Sequence, residues 1–392
     1  MGLRGTKGPL QVLLSTLGIG LLACSGEGVA HPTFRPATER HFEPVAVERA
    51  SLPEVSATTA AARRAAWTSC HKDAPMVVLV ALDGARWHEV FTGVESKRAK
   101  AAGVPRDTSA AELMPNLHRI IRSEGAALGA PGVGEPISAS GPNYVSLPGY
   151  IEMLSGRHET ECTSNECGVS RWRSLPDDFA VCGEAAVVSS WPPIARAVGA
   201  NEAALVSAGK SALRGTLKGT RANALFEQGQ RGAPEPGYGD YRADQYTAPL
   251  ALEILRETRP SFLFVGLGDT DEHAHHNDYP GYLDALRAAD RTIGEIDAVL
   301  TEQRLTGRET LLLVTSDHGR SHNFSDHGDS KESARVWLVA AGSRVYARGM
   351  VAAPEPRYLA DLAPSVRAVA GLPPSPDEQG RVLSELFATE DL

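Results

Sequence analysis

The sequence predicts an α/β protein with a mostly parallel central sheet and helices on both faces, and two observations point there. From Met76 onward, short apolar runs alternate with amphipathic helical stretches. Three of the runs, Met76 to Leu82, Phe262 to Leu267 and Leu311 to Ser316, are rich in Val, Leu or Phe and short enough to be buried strands. Each has a carboxylate at or just beyond its end: Asp83, Asp271 and Asp317. Ligands of open α/β sheets bind outside the carboxyl ends of the strands, so residues distant in sequence meet there.

The remaining elements follow in chain order. Asn143 to Leu154 reads as a helix, with Pro142 suited to its first turn and Pro148 a candidate kink. Ala185 to Ser189 is a further strand, and Gly232 to Tyr241, with its glycines and prolines, is a loop. Helices are expected at Ala243 to Glu257 and Tyr279 to Leu300, and a strand at Val336 to Ala341. Asp361-Leu362-Ala363-Pro364 opens a last helix that Gly371 and the following prolines stop.

Residues 1–72 are of another kind. Arg4 and Lys7 precede an apolar stretch from Pro9 to Ala23, too short to span a membrane and suited to a signal peptide over 1–23. Its ending, Leu21-Leu22-Ala23-Cys24, resembles a bacterial lipobox, which implies a lipid on Cys24, a membrane contact and a place in the cell envelope. Residues 24–72, rich in Ala, Pro, Glu and Arg, then form a tether, and 73–392 the folded domain. In an oxidising compartment Cys70, Cys162, Cys167 and Cys182 make two disulfides, with Cys162–Cys167 and Cys70–Cys182 the expected pairing. A net charge of -9 argues against a nucleic acid partner.

The chemistry lies in four short stretches. Val80-Ala81-Leu82-Asp83-Gly84 ends a strand in a sharp turn. In Asp271-Glu272-His273-Ala274-His275, Asp271 and His275 share one helical face and suit Zn²⁺, while Asp269 and His273 offer the same spacing in another register. Thr315-Ser316-Asp317-His318-Gly319 places two ligand types at a buried strand end, where they would be costly without partners. Ser325-Asp326-His327-Gly328 adds a loop histidine. The nucleophile candidate is Ser140 in Ser140-Gly141-Pro142-Asn143-Tyr144, just before the expected helix, whose free N–H groups favour phosphate; Ser138 is the runner-up.

Together these stretches resemble the alkaline phosphatase superfamily, and within it the type I phosphodiesterase/nucleotide pyrophosphatase-like branch. The resemblance runs from about Met76 to Gly380-Arg381-Val382-Leu383 and includes Tyr279 and Tyr282. It implies one metal held by Asp271, His275 and His327, a second held by Asp83, Asp317 and His318, and Ser140 beside the second. The expected activity is hydrolysis of a phosphate ester, a diester or monoester, through a phosphoserine. Two divalent ions, zinc by donor type with manganese the alternative, would activate the hydroxyl, and Asn143 would donate to a non-bridging oxygen.

Two competing readings remain. A sulfatase-like hydrolase would carry an arginine after the nucleophile's proline, which Ser140-Gly141-Pro142-Asn143-Tyr144 lacks. A non-catalytic metal-binding surface lipoprotein would need none of the hydroxyl chemistry. Arg86, Arg157 and Arg320 are candidates for phosphate contacts, although surface charge is the ordinary reading of each. The mutases of the superfamily are mainly cytoplasmic, which the signal peptide argues against.

Overall fold

The computed structural model describes residues 74–199 and 204–387. The signal peptide, Cys24, the tether and Cys70 lie outside the described residues, so those expectations carry over unchanged.

The described strands are β1 (Met76–Leu82), β2 (Gly125–Leu128), β3 (Ile137–Ser138), β4 (Ala185–Ser189), β5 (Leu205–Ala208), β6 (Ala212–Arg214), β7 (Phe262–Leu267), β8 (Thr310–Thr315), β9 (Arg335–Val336), β10 (Leu338–Gly342), β11 (Gly349–Met350) and β12 (Arg357–Tyr358). Nine of them form one sheet in the order β11-β2-β10-β8-β1-β7-β4-β5-β6, and β12-β3-β9 form a small second sheet. The centre is parallel: β1 pairs with β7 on one side and β8 on the other, and β4 pairs in parallel with both β7 and β5. Antiparallel strands β10 and β6 lie toward the edges, so the sheet is mixed but mostly parallel, as expected.

Every residue of β1, β7 and β8 is buried, as strands covered on both faces must be. Alternation along β1 feeds two cores: Met76, Val78, Val80 and Leu82 pack on one face, Val77, Leu79 and Ala81 on the other. Helices α2 (Asp244–Thr258) and α4 (Tyr279–Leu305) cover the first face through Leu250, Ile254, Leu286 and Ile293. Helix α1 (Ser146–Ser155) covers the second through Leu147, Ile151 and Leu154. Between β7 and α4 a short helix, α3 (Asp269–His275), rises directly from the end of β7.

Three expectations need correction. The stretch Val336 to Ala341 is divided, because β9 joins the small sheet while β10 runs antiparallel to β8 in the large one. Helix α4 continues to Leu305 rather than stopping at Leu300. The helix expected from Asn143 begins instead at Ser146, so the proline in its first turn is Pro148, not Pro142. Residues 140–145 are spent on a loop whose Tyr144 exchanges backbone hydrogen bonds with Gly328, at 2.8 and 3.2 Å.

Candidate active site and metal centre

The adjacent strands β8, β1 and β7 end side by side, and their ends supply Asp317, Asp83 and, in the first turn of α3, Asp271. Gly84 turns the chain just beyond β1 at φ 59, and its N–H donates to Asp317 Oδ1 at 3.1 Å. A side chain at residue 84 would overlap Asp271 Oδ1. Asp83 is held by Tyr150, whose hydroxyl donates to Oδ2 at 2.9 Å, and by Thr270, whose hydroxyl donates to the backbone carbonyl at 2.6 Å.

Three histidines complete the cluster in one way. His318, His327 and His275 place Nδ1 2.8, 2.8 and 3.1 Å from the backbone carbonyls of Gly319, Tyr144 and Ser325. With Nδ1 donating there, each ring is left with Nε2 facing the carboxylates, the arrangement that second-partner hydrogen bonds impose on metal-binding imidazoles. His318 Nε2 lies 3.3 Å from Asp83 Oδ1 and 3.4 Å from Asp317 Oδ2. His275 Nε2 lies 2.9 Å from Asp271 Oδ2 and 3.2 Å from His327 Nε2. The rings of His318 and His327 stack with centroids 4.1 Å apart.

Two donor groups result, each with ligand atoms within 4.8 Å of one another: Asp83, Asp317 and His318, and Asp271, His318 and His327. The structure therefore brings all six residues named as metal ligands into one pit, with His318 between the halves. The alternative register does not reach it: Asp269 accepts from Tyr241 and the Asp244 backbone, and His273 pairs with Asp278 at 2.8 Å.

Burial and mutual proximity set the electrostatics of the cluster. Asp317 is wholly buried, and burial together with Asp83 holds its carboxyl well above the usual range; its Oδ2 accepts no hydrogen bond from the described residues. Burial works against the charge on His318, yet Asp317 and Asp83 raise it to about 10. Burial and the neighbouring His318 push His327 down to about 3. Burial would raise Asp271, but Arg320 and His275 outweigh it and hold the carboxyl well below the ordinary value. An orphaned buried oxygen among clustered carboxylates fits a divalent cation with oxygen and imidazole ligands.

Neither predicted catalytic residue, the nucleophile Ser140 nor the amide donor Asn143, is where the sequence reading put it. Ser140 Oγ donates to Glu152 Oε1 at 2.6 Å and sits 2.5 Å from His158 Nδ1, and neither partner belongs to the cluster. Asn143 spends its amide on the Thr163 carbonyl at 2.9 Å. Besides the Tyr150 phenol, the hydroxyl that meets the cluster is that of Ser146, with Oγ 3.3 Å from both Asp83 Oδ1 and His318 Nε2. It occupies the first position of α1, and Gly149 brings that helix so close to the Asp317 carbonyl that a methyl group there would overlap it. The signal was present as Ser146-Leu147-Pro148, a second serine two residues before a proline.

Asn165 was also missed. The disulfide Cys162–Cys167 closes the loop that carries it, and its Oδ1 accepts from Leu147 N at 2.9 Å, on the first turn of α1. Both Asn165 and Ser146 line a cleft of about 230 Å³ with Asp83, Asp271, Glu272 and His275, walled by Trp191, Tyr238 and Tyr241. Of the three arginines, Arg86 pairs with Glu89 and Glu95, and Arg157 stacks 3.8 Å over Trp172. Arg320 is not a surface charge: its side chain is wholly buried and pairs with Asp271.

Residues 207–374 match the family model for type I phosphodiesterase / nucleotide pyrophosphatase, a span that includes Asp271, His275, Asp317, His318 and His327. A phosphopentomutase of Methylorubrum extorquens (strain PA1) is 35% identical over 114 residues, 29% of this chain and 25% of that protein. One from Acetivibrio thermocellus is 38% identical over 82 residues, 21% of this chain. The chain thus spans a quarter or less of the length of these curated relatives. Among solved structures, wild-type alkaline phosphatase PafA superposes with a TM-score of 0.52 at 9% identity, over 80% of this chain and 99% of that one. Murine ectonucleotide pyrophosphatase / phosphodiesterase 5 does so with a TM-score of 0.50 at 12% identity, over 80% and 100%. At such identities the likeness is one of fold. The fold is thus alkaline phosphatase-like, and the family match covers the segments that carry Asp271, His275, Asp317, His318 and His327.

Proposed function

We propose that the protein hydrolyses phosphate esters at this cluster, with Ser146 as the nucleophile. The carrying observation is that three histidines turn Nε2 toward three buried carboxylates, beside the one serine hydroxyl at the head of α1. Asp83, Asp317 and His318 would hold one divalent ion and Asp271, His275 and His327 the other, with zinc favoured by the mixed oxygen and nitrogen donors. Bound there, such ions lower the pKa of a hydroxyl and draw charge from phosphoryl oxygens.

The chain's own groups do the rest. Ser146 Oγ–H faces Asp83 Oδ1, which takes its proton as Oγ bonds to phosphorus; the ester P–O bond breaks and the departing oxygen takes up a proton from solvent to leave as the alcohol. The N-terminus of α1 presents positive dipole to the phosphoryl group. Asn165, whose Oδ1 is occupied by Leu147 N, keeps its amide N–H groups for a non-bridging oxygen as charge builds. Water then releases phosphate from Ser146. Trp191 and Tyr238 offer an aromatic wall to the organic part of the ester.

The test is hydrolysis of p-nitrophenyl phosphate and bis-p-nitrophenyl phosphate by the full chain, before and after chelation and zinc return. Activity should vanish in chelator, return with zinc and be lost in Ser146→Ala; unchanged hydrolysis by Ser146→Ala sinks the reading. The ratio of the two rates decides between monoester and diester. Similarity to phosphopentomutases supports a second reading, phosphoryl movement between positions of a pentose phosphate, which an isomerisation assay without phosphate release would detect. The signal-like N-terminus and Cys24 support export as an envelope lipoprotein, with 73–392 as the catalytic unit. Cys24→Ala should then move the protein from the membrane to the soluble fraction.

A further inference from the structure

Arg320 follows Asp317-His318-Gly319 in the sequence and turns its side chain to Asp271. Its side chain is wholly buried: Nε donates to the Phe324 carbonyl, Nη1 pairs with Asp271 Oδ1, and Nη2 lies 3.5 Å from His275 Nδ1. The space exists because residue 84 is glycine; a side chain there would overlap both Asp271 Oδ1 and Arg320 Nη1. The ring of Phe324 lies 6.0 Å from the guanidinium carbon. A guanidinium keeps its proton at any working pH, so this positive charge is permanent.

The two halves of the cluster therefore offer a cation different fields. Asp83, Asp317 and His318 combine two carboxylates with a neutral-capable imidazole, and Asp317 Oδ2 accepts no hydrogen bond from the described residues. Asp271, His275 and His327 have one carboxylate, and one of its oxygens is already taken by Arg320. With the carboxylates ionised and the imidazoles neutral, as ligands to a metal must be, the first set is doubly negative, whereas the second is neutral once the guanidinium is counted. Coulomb attraction to a divalent ion scales with that difference, and it is strongest in a buried site.

We infer that Arg320 makes the metal sites unequal: the Asp83, Asp317 and His318 site fills first, and the Asp271, His275 and His327 site binds its ion weakly and exchangeably. This rests on the reading of the cluster as a metal centre. Arg320 acts here as a positioning residue, since it restricts Asp271 to its Oδ2 atom and offsets its charge. Partners of this kind alter metal affinity by about 10- to 100-fold.

The full chain, stripped by chelator, is titrated with Zn²⁺ by calorimetry, and bound zinc is counted by mass spectrometry. The wild type should show one tight event and a second about 10-fold weaker or more. Arg320→Met should strengthen the second event by about 10-fold or more and leave the first unchanged. Arg320→Lys, which keeps the charge and guards against a folding failure of the methionine variant, should leave the second event weak. Asp271→Asn should remove the weak event and Asp317→Asn the tight one. Two equal tight events in the wild type, an unchanged second event in Arg320→Met, a strengthened one in Arg320→Lys, or loss of the tight event in Asp271→Asn would each overturn the inference while leaving a metal centre in place. A wild type that takes up no zinc removes the metal centre and the inference together.

Discussion

Ser140 and Ser146 each stand two residues before a proline, yet the fold gives them opposite surroundings. Ser146 opens α1 and turns its hydroxyl to Asp83 and His318. Ser140 precedes a loop and is held by the buried Glu152 and by His158. Glu152 also accepts from the backbone N–H groups of Ser140 and Ala360. The difference shows that a nucleophile is made by a helix start pressed onto a cluster of acids, not by a local sequence pattern. Ser140 ties the segment ahead of α1 to the second core; Ser146 faces the chemistry.

The comparison can be broken most directly by exchanging the roles. Ser146→Ala should lower kcat/KM for p-nitrophenyl esters by about 10³-fold or more, while Ser140→Ala should leave it within about twofold. The reverse ranking would return the nucleophile to Ser140.

A smaller effect tests how α1 is placed. Gly149→Ala would ordinarily favour a helix by about 0.5–1 kcal/mol. Here the added carbon would overlap the Asp317 carbonyl, so the helix must withdraw and carry Ser146 with it. We expect activity to fall by about 10- to 100-fold, with Tm lowered rather than raised. A stabilised, fully active Gly149→Ala would show that the close approach is not what positions Ser146.

The Ser140 side is sharpened by pH. Burial, only partly offset by the Ser140 and Ala360 hydrogen bonds, raises the Glu152 carboxyl from 4.5 to about 7. Between those values the folded protein binds more protons than the unfolded chain, so this group makes stability fall as pH rises from 4.5 through 7. The effect is on the order of 3 kcal/mol across the window. Glu152→Gln should flatten that slope in urea titrations at pH 5 and pH 8, at a cost of about 1 kcal/mol for a donor left facing a donor. An unchanged slope would remove Glu152 from the account.

The smallest expected effect is on stability alone. Ser140→Ala removes one hydrogen bond to a buried carboxylate and should cost about 1–2 kcal/mol by urea titration. A cost near zero would mean that the contact with Glu152 contributes nothing to holding the segment ahead of α1.

Much of the scaffold was legible because strand burial is written in composition. Runs such as Met76 to Leu82 have no polar face to expose, and in a parallel sheet their ends must gather at one side. Asp83, Asp271 and Asp317 were readable for the same reason. His275 could be read from helical spacing, and His318 from its place beside Asp317. What could not be read depended on which of two similar stretches entered the helix. Pro142 and Pro148 both suit a first turn, and only packing of Gly149 against Asp317 and of Leu147 and Tyr150 into the core selects the second. Asn165 sits in a disulfide loop with no motif of its own, so its approach to Leu147 had no local signal.

The sequence by itself determined the sheet, the strand-end acids and the histidines, since periodicity, burial and spacing are properties of neighbouring residues. Only the tertiary structure decided that Ser146 meets the cluster, that Arg320 is buried against Asp271, and that Asp317 Oδ2 is left without a hydrogen bond from the described residues. These are contacts between segments brought together by β1, β7, β8 and α1, and their energies are set by distance and desolvation in space rather than by order along the chain.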